Sequence, residues 1–229
     1  MTITDHNAAP RLAGALLLTA IALLITSASI VVPAGLTLNP DDPAGALRAV
    51  HGRPGLHLVE LALDVSGWLA LAAAALALAV HAVASGRFAA LLPAGLLALA
   101  GAAGMLHDAG NLAVTQLAAT PDVAAVLPVV EGLLLQAKWA VNLAGLLWVA
   151  ATGAAALWST ESTVLRRFGF VAALSGLAAV VLPWTTGTGG PTPALEQLGY
   201  ALHLPVMAWW AVLGGRCVRA APEAVGRRG

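Results

Sequence analysis

Long apolar runs, separated by short clusters of turn-forming residues, organise this chain. The first spans Leu12 to Val32 between Arg11 and Pro33, the second about Leu56 to Val83, and the third Phe88 to Leu106. A fourth covers about Glu131 to Trp158, a fifth Phe168 to Trp184, and a sixth about Leu198 to Val218. Each holds at least the roughly 17 residues that a membrane-spanning helix needs. The intervening segments carry turn chemistry, as in Asn39-Pro40-Asp41-Asp42-Pro43, Ser85-Gly86-Arg87, Ala119-Thr120-Pro121-Asp122, Ser159 to Ser162 and the Gly/Pro/Thr tract from Thr185 to Pro193. The pattern predicts an all-α fold: a bundle of six transmembrane helices in a single integral membrane domain spanning residues 1–229. The first run is longer than the core of a signal peptide and further spans follow it, so it reads as a retained helix.

Composition sharpens the class. Of 229 residues, 59% are hydrophobic and 10% charged, whereas a soluble domain carries about 25% charged residues. Such a chain cannot coat a water-facing globule. The net charge of zero provides no field to recruit nucleic acid, so the bilayer is the expected partner. Cys217, alone in the sequence, excludes an internal disulfide, a CxxC pair and a multi-cysteine zinc site. The preference for Arg over Lys, with the alanine excess, resembles the compositional bias expected of a GC-rich bacterial coding sequence.

Lys and Arg near span ends stay on the cytoplasmic side. Arg11, Arg87, Arg166, Arg167, Arg216, Arg219, Arg227 and Arg228 fall on one side of a six-span arrangement, against Arg48, Arg53 and Lys138 on the other. This predicts both termini in the cytoplasm. Trp158 then marks an inner boundary, and Trp139 and Trp184 outer ones, which leaves Pro128 to Ala137 as an outward extension of the fourth helix or an interfacial segment.

Ionisable residues inside the spans carry the functional information, because a charged side chain costs about 2.5 to 3.5 kcal/mol at mid-bilayer. They gather toward the predicted outer side: His57, Glu60 and Asp64 in the second span, His107, Asp108 and Asn111 at the end of the third, Glu131 and Lys138 in the fourth, and Glu196, Tyr200 and His203 at the start of the sixth. Residues three and four apart share a helix face. His57, Glu60 and Asp64 therefore form one stripe, Glu196, Tyr200 and His203 another, and Lys138 and Asn142 lie one turn apart. Their convergence predicts a polar pocket open to the outside, lined by His57, Glu60, Asp64, His107, Asp108, Lys138, Asn142 and His203.

Four uses of that pocket follow from its chemistry. Glu60 and Asp64 repel one another if both are ionised, and Lys138 is the candidate cation between them. A metal site would draw on His57, Glu60, Asp64, His107 and His203, although no HExxH or other fixed ligand spacing is present. A haem would draw on His57, His107 and His203, which lie at similar depths. Transport would use the carboxylate and histidine relay, with Pro93, Pro183 and Pro205 as candidate helix breaks; the inner halves of the spans, however, are almost purely apolar. No cofactor is predicted outright. The reading is a non-enzymatic protein whose pocket binds or moves a small solute, lipid or ion. A metal-dependent enzyme is the alternative, as is an accessory subunit of a membrane complex or an oligomer that associates through the small-residue faces at Ala72 to Ala79 and Gly95 to Gly104.

Several short motifs also stand in a familiar order. They are Arg11-Leu-Ala-Gly14 at the first span, a short amphipathic stretch near Ala44 to Val50, Lys138-Trp139 in the fourth span, Val164 to Gly169 entering the fifth, and Leu204-Pro205 before Trp209-Trp210 in the sixth. In these the chain resembles the six-span bacterial membrane family catalogued as domain of unknown function 4386. The resemblance implies the six-span fold and an inner-membrane address, and it carries no activity.

Overall fold

The computed structural model describes residues 8–158, 162–189 and 192–219. These form seven α-helices: α1 (Ala8–Ala34), α2 (Pro43–Gly52), α3 (Pro54–Ala84), α4 (Leu91–Leu117), α5 (Val123–Trp158), α6 (Thr163–Val181) and α7 (Pro193–Arg219). Short 3-10 segments lie at Phe88–Ala90 and Leu182–Gly189, and no strand occurs among the described residues. All but α2 are long and apolar enough to cross a membrane, α4 and α6 together with their 3-10 extensions. Arg227 and Arg228, part of the charge-bias argument, lie outside the described residues.

Helix ends follow local chemistry. Asp42 Oδ1 accepts from the Gly45 amide at 2.8 Å and Pro43 opens α2, satisfying a first-turn donor as an N-cap does. Ser162 Oγ accepts from the Leu165 amide at the start of α6, and Asp122 Oδ1 from the Ala125 amide at the start of α5. The turn between α3 and α4 closes through Gly86 at φ +69°, a conformation that favours glycine. The helices run further than hydropathy alone indicates, α4 and α5 most of all. The third span continues from Leu106 to Leu117, and the fourth begins at Val123 rather than Glu131. His107, Asp108 and Asn111 are thus inside α4 rather than at its end. No proline interrupts the chain there before Pro121, and the polar side chains find partners without breaking the helical ladder.

The long helices close into a ring in chain order, with α1 on α3, α3 on α4, α4 on α5, α5 on α6, α6 on α7, and α7 back on α1. Small residues permit the close approaches. A Cβ on Gly104 would overlap the Trp68 indole, and one on Gly101 would stand 2.7 Å from the Trp68 carbonyl, so both glycines seat α4 against α3. At the α1·α7 crossing, a Cβ on Gly14 would come within 2.5 Å of the Gly214 carbonyl.

Burial is inverted relative to a water-soluble bundle. Ala70, Ala74, Ala75, Ala100, Ala144, Ala151 and Ala172 are buried, while Leu69, Leu76, Leu99, Leu143 and Leu174 face outward. Where lipid is the solvent, apolar bulk gains nothing by turning inward, and close backbone packing decides which face is interior. One half of the bundle is filled by this alanine-rich core together with Leu71, Leu97, Trp148, Trp209 and Trp210. At the other end, α2 lays Ala46, Leu47 and Val50 against Val114, Val130 and Leu134. Arg53 ties the connection down by donating to the Ala34 carbonyl at 2.8 Å.

Candidate functional site: a charged cavity inside the helix ring

Between the two packed regions the ring encloses a cavity of about 460 Å³. Its floor is aromatic. The Trp148 ring stands edge-on to Trp68 on one side (centroids 5.9 Å apart) and to His203 on the other (5.4 Å), arrangements that aromatic quadrupoles favour. Above the floor, α3 contributes Glu60 and Asp64, α4 His107, Asp108 and Asn111, α5 Lys138 and Asn142, and α7 Glu196, Tyr200 and His203. Leu36, Thr37 and Leu38, in the segment after α1, complete the rim.

The charged groups sort into separate partnerships. Lys138 Nζ forms a salt bridge with Glu196, both side chains more than nine-tenths buried. The cation read from the sequence as the partner of Glu60 and Asp64 therefore belongs instead to α7. Glu60 turns to His57, whose Nδ1 lies 2.7 Å from Glu60 Oε1, and its Oε2 accepts from Ser27 Oγ of α1 at 3.2 Å. His57 is fully buried in this contact and does not line the cavity. Asn142 donates to the Val180 carbonyl at 3.0 Å and accepts from Trp184 Nε1 at 2.9 Å, bracing α5 against the segment after α6. Glu131 is exposed and stands apart.

Asp64, His107 and Asp108 form a different grouping. One ligand atom from each lies within 4.8 Å of the others, the single such set of three among the described residues. Sequence reasoning offered His57, Glu60 and His203 as companion ligands. The structure instead commits His57 and Glu60 to each other and places His203 in the floor beside Trp148. The three histidines proposed for a haem do not meet in the cavity, because His57 is outside it. Asp64 Oδ2 accepts from Trp68 Nε1 at 3.3 Å. His107 Nδ1 lies 2.8 Å from the Ala137 carbonyl; a carbonyl only accepts, so Nδ1 carries the proton and Nε2 presents its lone pair. Asn111 Nδ2, 3.1 Å from that Nε2, is a fitting donor to it.

Of the candidate prolines, Pro93 sits in the first turn of α4, Pro183 follows α6, and Pro205 lies within an unbroken α7. Pro205 leaves the Ala201 carbonyl without its helical donor; in the same turn the Leu202 carbonyl accepts from Ser175 Oγ at 2.7 Å, which ties α6 to α7. Sequence reasoning missed the structural parts of the site: Ser27 as a partner of Glu60, Glu196 as the partner of Lys138, and the Trp68/Trp148 floor. For the salt bridge a signal existed, since Lys138 is the one lysine of the sequence, set within an apolar span, and Glu196 is the one acidic residue of α7. For the tryptophans there was none.

Fold and site together define a multi-pass helical membrane protein with charged groups buried in an internal cavity. Compared with protein-family models, curated proteins and solved structures, the chain matches none.

Proposed function

We propose that this is a non-enzymatic membrane protein that takes an amphipathic molecule from the bilayer into the cavity, with its polar group among the charged side chains and its apolar chain between α1 and α7. One observation carries the reading. The two helices meet closely where Gly14 faces Gly214, whereas further along Ile25 and Val32 of α1 and Tyr200 and Leu204 of α7 both line the cavity and lie exposed on the outer surface. A wall that is at once cavity lining and lipid-facing surface is a side opening. It is apolar at the lipid edge and polar within, as a site for a molecule with one end of each kind should be.

The arginine distribution supports an orientation with both termini cytoplasmic and the cavity in the outer half of a bacterial inner membrane. Arg11, Arg87, Arg166, Arg167, Arg216 and Arg219 all lie at the opposite end of the ring from the cavity. The resemblance to the six-span bacterial family agrees with that address. Below the aromatic floor, Trp209 Nε1 donates to the Leu165 carbonyl and Trp210 Nε1 to Thr152 Oγ1, each at 2.9 Å within close packing. A second cavity, of about 160 Å³ and lined by His81, Arg87, Trp158, Trp209 and Trp210 among others, lies at that end; the packed tryptophans between it and the charged cavity favour capture over passage.

Tryptophan quenching tests the proposal. In vesicles of a dibrominated phosphatidylcholine, bulk lipid quenches only outward-facing tryptophans unless an acyl chain enters the cavity and reaches buried Trp148. Entry predicts that Trp148→Phe removes part of the quenched emission. If that variant loses only unquenched emission, the chain does not enter and the proposal fails.

A further inference from the structure

The Asp64/His107/Asp108 grouping has features that ion pairing within the bundle does not explain. Asp108 is 1% exposed, and neither of its carboxylate oxygens meets an N–H or hydroxyl donor; what it faces across the helix pair is a second acid, the Asp64 carboxyl, a costly arrangement for two such groups in low dielectric. The nearest cationic side chain lining the cavity, Lys138, is bound to Glu196. Near Asp108, 4.0 Å from its Oδ1, stands His107 Nε2. That nitrogen is the unprotonated one, because Nδ1 is held by the Ala137 carbonyl; it accepts from Asn111 Nδ2 at 3.1 Å, a bond that a metal ligated there would replace. An imidazole whose far nitrogen donates to a backbone carbonyl is the arrangement that metal-ligating histidines use to fix tautomer and ring orientation. Asp64 is similarly oriented by Trp68 Nε1.

We infer that Asp64, His107 and Asp108 form a binding site for a divalent transition-metal cation of borderline softness, Zn²⁺ being the best fit. Two carboxylates and one neutral imidazole match its ligand preferences, and a dication balances the charge of both aspartates. A hard cation such as Mg²⁺ would favour an all-oxygen set. The ligand atoms, within 4.8 Å of one another, close to the roughly 3.3 Å separation of tetrahedral zinc ligands through modest side-chain rotation. All three residues line the cavity, so the fourth coordination position faces it and is open to water or to a ligand's polar group. Three protein ligands with one open position is the pattern of zinc sites that bind exchangeable ligands. The site stands whether or not an amphiphile enters, because its ligands come from α3 and α4 alone.

The test uses the metal alone. Untagged full-length protein in mild detergent, stripped with EDTA and desalted, is titrated with Zn²⁺, and bound metal is measured by elemental analysis alongside the thermal unfolding midpoint. The expected result is about one Zn²⁺ per chain, an upward shift of the midpoint, and no displacement by millimolar Mg²⁺. His107→Ala and Asp108→Asn should each weaken binding at least about tenfold, while His57→Gln and His81→Ala, which lie outside the site, retain it. Asp108→Asn also guards against a folding artefact. With the unpartnered carboxylate removed, the metal-free variant should unfold at or above the wild-type temperature and yet gain nothing from Zn²⁺. Absence of stoichiometric Zn²⁺, retention of Zn²⁺ by His107→Ala, or equal stabilisation of Asp108→Asn by Zn²⁺ overturns the inference. Failure here, with Trp148 still quenched by brominated lipid, removes the metal and leaves the amphiphile reading intact; the converse pair of results does the reverse.

Discussion

The two halves of the ring are built from the same helices and obey opposite rules. In the half that contains the termini of the described chain, alanines and glycines bring backbones together and tryptophans fill most of what remains, so the interior is nearly uncharged and packed but for a small cavity of about 160 Å³ beside Trp209 and Trp210. In the other half, the same helices hold seven buried or partly buried ionisable groups, Glu60, Asp64, His107, Asp108, Lys138, Glu196 and His203, around a cavity of about 460 Å³. Trp68, Trp148 and His203 mark the boundary. The contrast teaches that close packing and buried charge have been given separate depths. One half holds the helices in register by van der Waals contact, which lets the other tolerate hollow space and charge.

Breaking the Lys138–Glu196 bridge is the most severe way to disturb the contrast. Lys138→Met leaves a buried carboxylate without its cation and should cost about 3 to 5 kcal/mol, whereas the double variant with Glu196→Met should recover most of that loss. Unfolding midpoints of the wild type, both single variants and the double variant in one detergent read out the cycle. An equal loss in single and double variants would show that the pair does not act as a unit. Next comes a comparison within α4. Leu97 is wholly buried and Leu99 is 57% exposed, so Leu97→Ala should cost about 2 to 4 kcal/mol through lost packing, and Leu99→Ala within about 0.5 kcal/mol. Equal effects would mean that lipid and protein interiors are not being distinguished. Gly104→Val drives a branched side chain into the Trp68 ring and should cost about 1 to 3 kcal/mol. Because Trp68 also anchors Asp64, this variant should blunt any stabilisation by Zn²⁺, which the same thermal assay measures. The smallest effect belongs to Trp184→Phe, which removes one exposed hydrogen bond to Asn142 and should lower stability by about 0.5 to 1 kcal/mol.

How far the sequence alone reaches can be seen in individual residues. Hydropathy settled the number of long helices and their order, because lipid admits only segments that satisfy their own backbone. Local spacing settled the stripes: 57/60/64 and 196/200/203 lie as helical geometry requires. Gly101 and Gly104, on a small-residue face that the sequence offered for association, pack within the ring against Trp68. Helix ends were less legible, since α4 continues through His107 and Asp108 at a point where hydropathy falls and hydrogen bonding does not.

Partner choice was decided only by tertiary structure. Nothing in the spacing of Lys138 says that α7 rather than α3 supplies its carboxylate, or that His57 turns from the cavity to Glu60, or that Asp108 is left facing the unprotonated nitrogen of an imidazole. Those outcomes depend on the rotation of each helix about its own axis. In a membrane that rotation is set by which small residues on neighbouring helices can approach most closely, a property of pairs of helices and not of any one. The sequence by itself therefore determines a six-span helical membrane protein whose charges lie toward one side, and the closing of the ring determines which of those charges become a salt bridge, a brace or a site.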